Sequence, residues 1–321
     1  MRILITGVAG FIGFHLTRKL LINNNIKVFG IDNLNSYYDK KLKIDRLNIL
    51  KKNTKFNFKK IDISNDKKLE TYFKINKIEY VVHLAAQAGV RYSILNPRTY
   101  LENNIDGFFN IIDISKTNNI KHFMFASTSS VYGAANKFPL KENFSTSNPL
   151  SFYAASKKSN EVLAFSYSNI HKLSCTGLRF FTVYGPYGRP DMSLYKFVDA
   201  IFKNQKLDLY NYGNHIRDFT HVYDVVDGIV GLIKKPSKDK VPFDVFNIAS
   251  AKPKELKFFL SLIEKSLNKK AKINYKKMQS GDVHKTHGSI FKIKKHTGYS
   301  PKVNLKDGIN EFVSWYKDYY K

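Results

Sequence analysis

"RILITGVAGFIG" (residues 2–13) sets a short apolar run against three glycines and then a second apolar run. The first run reads as a buried strand, since a signal peptide would need a longer apolar region and a small-residue cleavage site. Gly7, Gly10 and Gly13 follow at a spacing of G-x-x-G-x-x-G. One glycine permits the tight turn, one lets the backbone approach a pyrophosphate, and the third lets helix and strand pack closely. The helix that opens there offers free N–H groups and a partial positive charge to the phosphates. Strand before and helix after is the context that makes a glycine triplet informative.

Reading outward, the next strand, "KVFGID" (27–32), ends on Asp32. A carboxylate about 20 residues past the glycines can accept both hydroxyls of an adenosine ribose and would repel a 2′-phosphate, which favours NAD over NADP. Further short apolar runs at 55–63, 78–86, 121–128 and 173–181 read as strands, and 11–24, 99–119 and 152–171 read as helices. This alternation predicts an α/β fold, a doubly wound parallel sheet of Rossmann type. Near residue 180 the texture changes to the turn-rich "YGPYGRPDMS". Residues 1–180 are therefore expected to form the NAD-binding domain, with a return segment at about 218–250. Residues 181–321 are expected to form a smaller α+β substrate domain over the sheet's carboxyl edge, where open α/β sheets bind ligands. Asp62, at the end of the third strand, is placed either to meet the adenine or simply to end the strand.

Bulk properties narrow the function. The chain has 321 residues and a net charge of +27, from 53 Lys+Arg against 26 Asp+Glu. Only eight of the basic residues are arginines, and no nucleic-acid module is evident. The charge therefore reads as lysine bias on solvated faces, with no nucleic-acid partner expected. Such a field would still attract an acidic small substrate. No apolar run approaches the roughly 18 residues of a membrane span. The single cysteine, Cys175, excludes an internal disulfide and suits a cytoplasmic enzyme. Nothing in the pattern asks for a metal.

"FYAASKKSNE" (152–161) places Tyr153 and Lys157 on one helix face. A free phenol, with a pKa of roughly 10, is a poor base at neutral pH. A neighbouring ammonium and a positive nicotinamide ring are expected to lower that value. "ASTSSVYG" adds Thr128 at a strand end, a hydroxyl able to relay a proton. Together they could remove a proton from a sugar hydroxyl while NAD takes hydride from the same carbon.

With these parts in place, the chain resembles the extended short-chain dehydrogenase/reductases. Within them it is most similar to NAD-dependent nucleotide-sugar epimerases of the UDP-glucuronate 4-epimerase kind. The likeness runs nearly end to end, through "DNLNSYYD" (32–39), "HLAAQAGVRYS" (83–93), "FYAASKKSNE", "GLRFFTVYGPYGRPDM" (177–192), "IRDFTHVYDVVDG" (216–228), and "GYSP" with "FVSWYKDYY" near the end. The resemblance implies that Thr128, Tyr153 and Lys157 are the catalytic set. It implies dinucleotide contacts from Gly7, Gly10, Phe11, Ile12, Gly13, Asp32, Asn33, Asp62 and Ile63. Further contacts would come from Leu84, Ala85, Ala86, Gln87, Asn103 and Phe180, with Tyr153 and Lys157 again. Arg217 would reach the diphosphate of a UDP-sugar, Asp282 the uridine ribose, and Thr182 and Arg189 the sugar carboxylate. Arg91 either joins that carboxylate end or is a surface arginine. A homodimer through helices 99–119 and 152–171 is implied as well.

Two departures stand out. Gly288 and Ser289 replace an Ala-Asp pair, which predicts an altered buried helix cap. Tyr187 replaces a tryptophan in the "GPYGRP" loop, which leaves the sugar specificity less defined. After Thr128 come Ser129 and Ser130, where dehydratases resemble Asp-Glu and decarboxylases carry a glutamate. That favours a 4-epimerase over either. A neutral-hexose or GDP-sugar epimerase, or a non-catalytic nucleotide-binding protein, are the alternatives. Retention of all three catalytic positions argues against the last.

Overall fold

A computed structural model describes all residues, 1–321. Seven strands form one parallel sheet in the order Phe243–Ile248, β6, β5, β4, β1, β2, β3. Here β1 is Arg2–Thr6, β2 Lys27–Asp32, β3 Phe56–Lys60, β4 Tyr80–His83, β5 His122–Thr128 and β6 Cys175–Phe180. The inner strands are buried on both faces and so are largely apolar without a polar alternate, whereas the edge strand β3 exposes Asn57, Lys59 and Lys60. In β1, Ile3 and Ile5 join one core while Leu4 between them joins the other, and all three are fully buried. The first core is covered by α1 (Phe11–Leu21) and the helix Val222–Ile233. The second lies under α3 (Asp66–Asn76) and the helix Gly107–Thr117.

The strand order reverses between β1 and β4, and a crevice opens there at the carboxyl ends of the strands. A third core, built from the helices Ser193–Phe202, Leu256–Leu267 and Leu305–Tyr319, stands over that edge. The chain does not stay there after leaving the sheet. Residues 222–248 return to it, and Phe243–Ile248 adds the edge strand beside β6. Cys175 lies inside this sheet, and burial pushes its thiol up to about 12.

Several elements differ from the sequence reading, each for a local reason. Two crossover helices, α2 (Lys40–Lys51) and α3, went unassigned because lysines blur their apolar period. Their caps are nonetheless of ordinary kind: Asp39 accepts from the Lys41 amide and Asn65 from the Lys68 amide. The third strand stops at Lys60, because Asp62 turns the chain by accepting from the Ser64 amide and hydroxyl. The fourth strand stops at His83, and residues 84–89 become cleft wall. The single helix expected over 99–119 is a helical turn, Pro97–Tyr100, a π-helical stretch, Leu101–Asp106, and an α-helix, Gly107–Thr117. No helix is long and apolar enough to cross a membrane.

The two departures lie in packed interior. A Cβ on Gly288 would come within 2.7 Å of Ala249 Cβ and Phe181 Cζ, so glycine fits where alanine would not without movement. Ser289 accepts from the Phe291 amide at 3.4 Å just before the helix Phe291–Thr297, whose N-cap, Ile290, supplies no side-chain cap. Tyr187 packs at tilted angles against Phe14 and Trp315 and takes no part in the cleft wall. Its ring supports the loop from behind.

Candidate active site

The crevice is a cavity of about 370 Å³ that runs from the glycine turn to the loop after β6. At its floor the glycines are sterically required. Gly7 has φ +69°, and a Cβ on it would lie 2.7 Å from the Ala85 amide nitrogen. A Cβ on Gly13 would lie 2.4 Å from the Gly7 carbonyl oxygen. Gly10 caps α1 without a side-chain acceptor, so the first-turn amides of Phe11, Ile12 and Gly13 are left for a ligand. This is a fit for a dinucleotide pyrophosphate.

Asp32 closes β2 at the same end. Its carboxylate accepts from the amides of Ala9 at 3.1 Å and Leu34 at 2.8 Å, and burial raises its pKa. Asn33 and Ile63 line the wall beside it, while Asp62 does not. The Asp62 carboxylate is taken by Asn33 Nδ2, 2.8 Å away, and by Ser64. The carboxylate thereby braces Asn33 from behind. Leu84, Ala85, Ala86 and Gln87 form the opposite wall. Thr6 pins that wall by accepting from the Ala85 amide, and Asn104 holds Gln87 through both its backbone groups. Asn103, from the π-helical stretch, and Phe180, from the end of β6, complete the lining.

The helix Phe152–His171 begins at Ser151, which accepts from the Ala154 amide. Its first turns bring Tyr153 and Lys157 to the cleft, where Thr128 arrives at the end of β5. Thr128 Oγ1 also accepts from the Ser130 amide at 3.2 Å, which orients the hydroxyl. Lys157 is 2% exposed, and burial alone pushes its ammonium down to about 7. Burial likewise raises the Tyr153 phenol, against a hydrogen bond from Thr128 and the charge of Arg189. The expectation that the lysine would depress the phenol is corrected. Within the protein's own groups, desolvation dominates both side chains, because no carboxylate faces the ammonium. A bound cation at the same place would act to lower the Tyr153 pKa. One turn further along this helix, Glu161 and Arg179, each 3% exposed, form a two-bond ion pair at 2.8 and 2.9 Å. Ser127, the neighbour of Thr128, donates to the same carboxylate.

At the other end of the crevice lie Thr182, Arg189 and Met192. Arg189 donates to Asp191 from Nε at 3.0 Å and Nη2 at 2.5 Å. Arg217, Arg91 and Asp282 gather apart from these, outside the deep crevice. Arg91 pairs with Asp282 at 3.3 Å and lies over the Tyr210 ring. Arg217 donates to the carbonyls of Ile216 and His284, and burial pulls its pKa down to about 10. The structure therefore moves Arg91 from the sugar-carboxylate end to this outer cluster. Residues that sequence reasoning did not single out also line the crevice: Tyr37, Tyr38, Lys43, Ser130 and Met192. For Tyr37, Tyr38 and Met192 the signal was present in "DNLNSYYD" and "GRPDM", but a signal of family does not say which side chain faces a ligand.

The family model described as GDP-mannose 4,6 dehydratase matches residues 4–312. Protein CapI of Staphylococcus aureus is 46% identical over 335 residues, covering 100% of both chains. A probable UDP-glucuronate 4-epimerase of Rhizobium meliloti is 40% identical and covers 100% of this chain and 98% of its own. Among solved structures, the UDP-glucuronic acid 4-epimerase of Bacillus cereus, in complex with UDP-glucuronic acid and NAD, superposes with a TM-score of 0.94. It is 33% identical, and the match covers 100% of both chains.

Proposed function

Because the chain belongs to the GDP-mannose 4,6 dehydratase family of extended short-chain dehydrogenase/reductases, we propose that it works as a 4-epimerase interconverting UDP-glucuronate and UDP-galacturonate. An NAD-dependent nucleotide-sugar 4-epimerase is the activity of its relatives and the one its cleft suits. The carrying observation is that Thr128, Tyr153 and Lys157 meet at one wall of a cleft whose far end holds Arg189. Next to Thr128 stand Ser129 and Ser130, with no carboxyl group to eliminate water or assist decarboxylation.

In this reading NAD is held by the glycine turn, Asp32 and the 84–87 wall, and supplies a hydride acceptor at the sugar's C4 that returns the hydride later. Lys157, with no acceptor of its own, binds ribose hydroxyls. Tyr153 takes the proton of the 4-hydroxyl, with Thr128 sharing the hydrogen bond, and gives it back after the ketone has presented its other face. For the sugar to turn, binding must rest on the nucleotide, which we assign to Arg217 and the Arg91–Asp282 pair. Thr182 and Arg189 hold the carboxylate, which also restrains loss of carbon dioxide from the 4-keto acid. We assign NAD binding to residues 1–180 with the return segment at about 218–250, and the sugar to 181–321.

Exposed Phe109, Val162, Phe165 and Ile170 on the helices Gly107–Thr117 and Phe152–His171 support a homodimer through these two helices. A place in acidic-polysaccharide assembly in the cytoplasm accords with the product. The test is direct. Purified protein with UDP-glucuronate should yield UDP-galacturonate, with no net consumption of cofactor. Interconversion of UDP-glucose and UDP-galactose alone would overturn the acidic-sugar reading.

A further inference from the structure

The stretches "DNLNSYYD" and "GRPDM" mark the family, yet Tyr37, Tyr38 and Asp191 have no part in the chemistry so far. In the fold these stretches face each other across the crevice. Tyr37 donates its hydroxyl to Asp191 Oδ2 at 3.2 Å, over a separation of 154 residues. Asp191 in turn receives two N–H groups of Arg189. A second tie runs parallel. Arg46 donates to the Tyr38 hydroxyl at 2.8 Å, to the Ala9 carbonyl at 2.8 Å and to the Tyr187 carbonyl at 2.6 Å. The loop that carries Tyr37 is thereby fixed to the loop that carries Arg189.

We propose that Tyr37 and Asp191 are positioning residues that aim Arg189 at an acidic group on the substrate's sugar. This inference rests on the acidic-sugar reading above. A guanidinium has five N–H donors in a rigid plane. Asp191 occupies Nε and Nη2, so the Nη1 edge remains for a second carboxylate. Arg189 is 22% exposed and lines the cleft, so that edge is reachable. Tyr37 fixes Asp191 from the other side, its ring packed on Tyr92 at 4.9 Å. The pair also lies close enough to the reaction centre for both of its charges to act on Tyr153, with opposite signs.

Orientation and charge make opposite predictions. Removing the Asp191 carboxylate leaves an uncompensated cation, which by Coulomb's law should draw an acidic sugar more strongly. If Asp191 aims Arg189, the same change should lower turnover of the acidic sugar relative to a neutral one. The test uses the full chain with its cofactor, as wild type, Tyr37→Phe, Asp191→Asn and Asp191→Glu. The readout is kcat/KM for UDP-glucuronate divided by kcat/KM for UDP-glucose. This ratio should fall about 10-fold in Asp191→Asn and about 3-fold in Tyr37→Phe, with partial recovery in Asp191→Glu. An unchanged or increased ratio in soluble, cooperatively melting Asp191→Asn and Tyr37→Phe overturns the proposal. Should Asp191→Asn fail to fold, Tyr37→Phe decides alone. A wild type that ignores UDP-glucuronate overturns the acidic-sugar reading and this inference with it. A wild type that accepts it, with unchanged variants, overturns the inference only.

Discussion

Lys157 should destabilise the cofactor-free protein, and the size of the effect follows from its burial. Its ammonium is 2% exposed and falls from 10.5 to about 7, with burial as the only influence. A folded pKa below the unfolded one means that the unfolded chain binds more protons between the two values. Stability therefore rises with pH across that window. The penalty is complete below about pH 7, shrinks between pH 7 and 10.5, and vanishes above. At about 1.36 kcal/mol per unit, it amounts to about 5 kcal/mol at pH 6 and about 2 kcal/mol at pH 9. Lys157→Met keeps the buried stem and removes the charge. Cofactor-stripped Lys157→Met should then be more stable than stripped wild type at pH 6, and the gap should narrow by about 3 kcal/mol at pH 9. Urea or thermal unfolding of both proteins at the two pH values measures this. Adding NAD should stabilise wild type more than the variant, because only wild type has an ammonium for the ribose. A variant less stable at pH 6, or a gap that ignores pH, would refute the reasoning: the ammonium would then have a partner or water that burial does not reveal.

Three further outcomes follow from the same geometry. Tyr153→Phe should lower kcat for 4-epimerisation by about 10²- to 10⁴-fold while NAD stays bound, checked by product formation and by the cofactor content of the purified protein. Glu161→Gln should cost about 3–5 kcal/mol, because it leaves the buried Arg179 guanidinium without its anion. Burial works to raise the Glu161 carboxyl, but Arg179 and Ser127 hold it below the usual range. Its contribution is present above the unfolded pKa and is lost as pH falls through the lowered folded value, so variant and wild type should converge in acid unfolding. Gly288→Ala should lower stability by about 1–3 kcal/mol, read as a lower urea midpoint, since its Cβ would press on Ala249 and Phe181.

The reach of sequence reasoning differs from element to element. The glycine turn was legible because its requirement is local: a positive φ at Gly7 and close approach at Gly13 tolerate no side chain. β1 and β2 were legible to the residue, since a strand buried on both faces shows as an unbroken apolar run. Helices α2 and α3 were not, because lysine at many positions hides the few buried residues, such as Leu47 and Phe73, that anchor them. Thr128, Tyr153 and Lys157 could be proposed together from spacing and strand position, and the fold brings all three to the cleft. Their electrostatics could not be read, as the sequence does not show how deeply each is buried. Asp62 was placed by its strand-end position and by family likeness, Arg91 by likeness, but their side-chain partners, Asn33 for one and Asp282 for the other, could not be read from sequence.

By itself, the order of residues determined the parallel sheet, the glycine turn, the place of Asp32 at the end of β2 and the face shared by Tyr153 and Lys157. Each depends on contacts within a few residues or on a simple apolar period. Tertiary structure alone decided that Phe243–Ile248 lies as the edge strand beside β6, that Arg91 meets Asp282, and that Tyr37 reaches Asp191. These pairings join segments far apart in the chain. Their partners are selected by packing around the crevice, where desolvation makes each unpaired charge expensive, and no local pattern of residues records that choice.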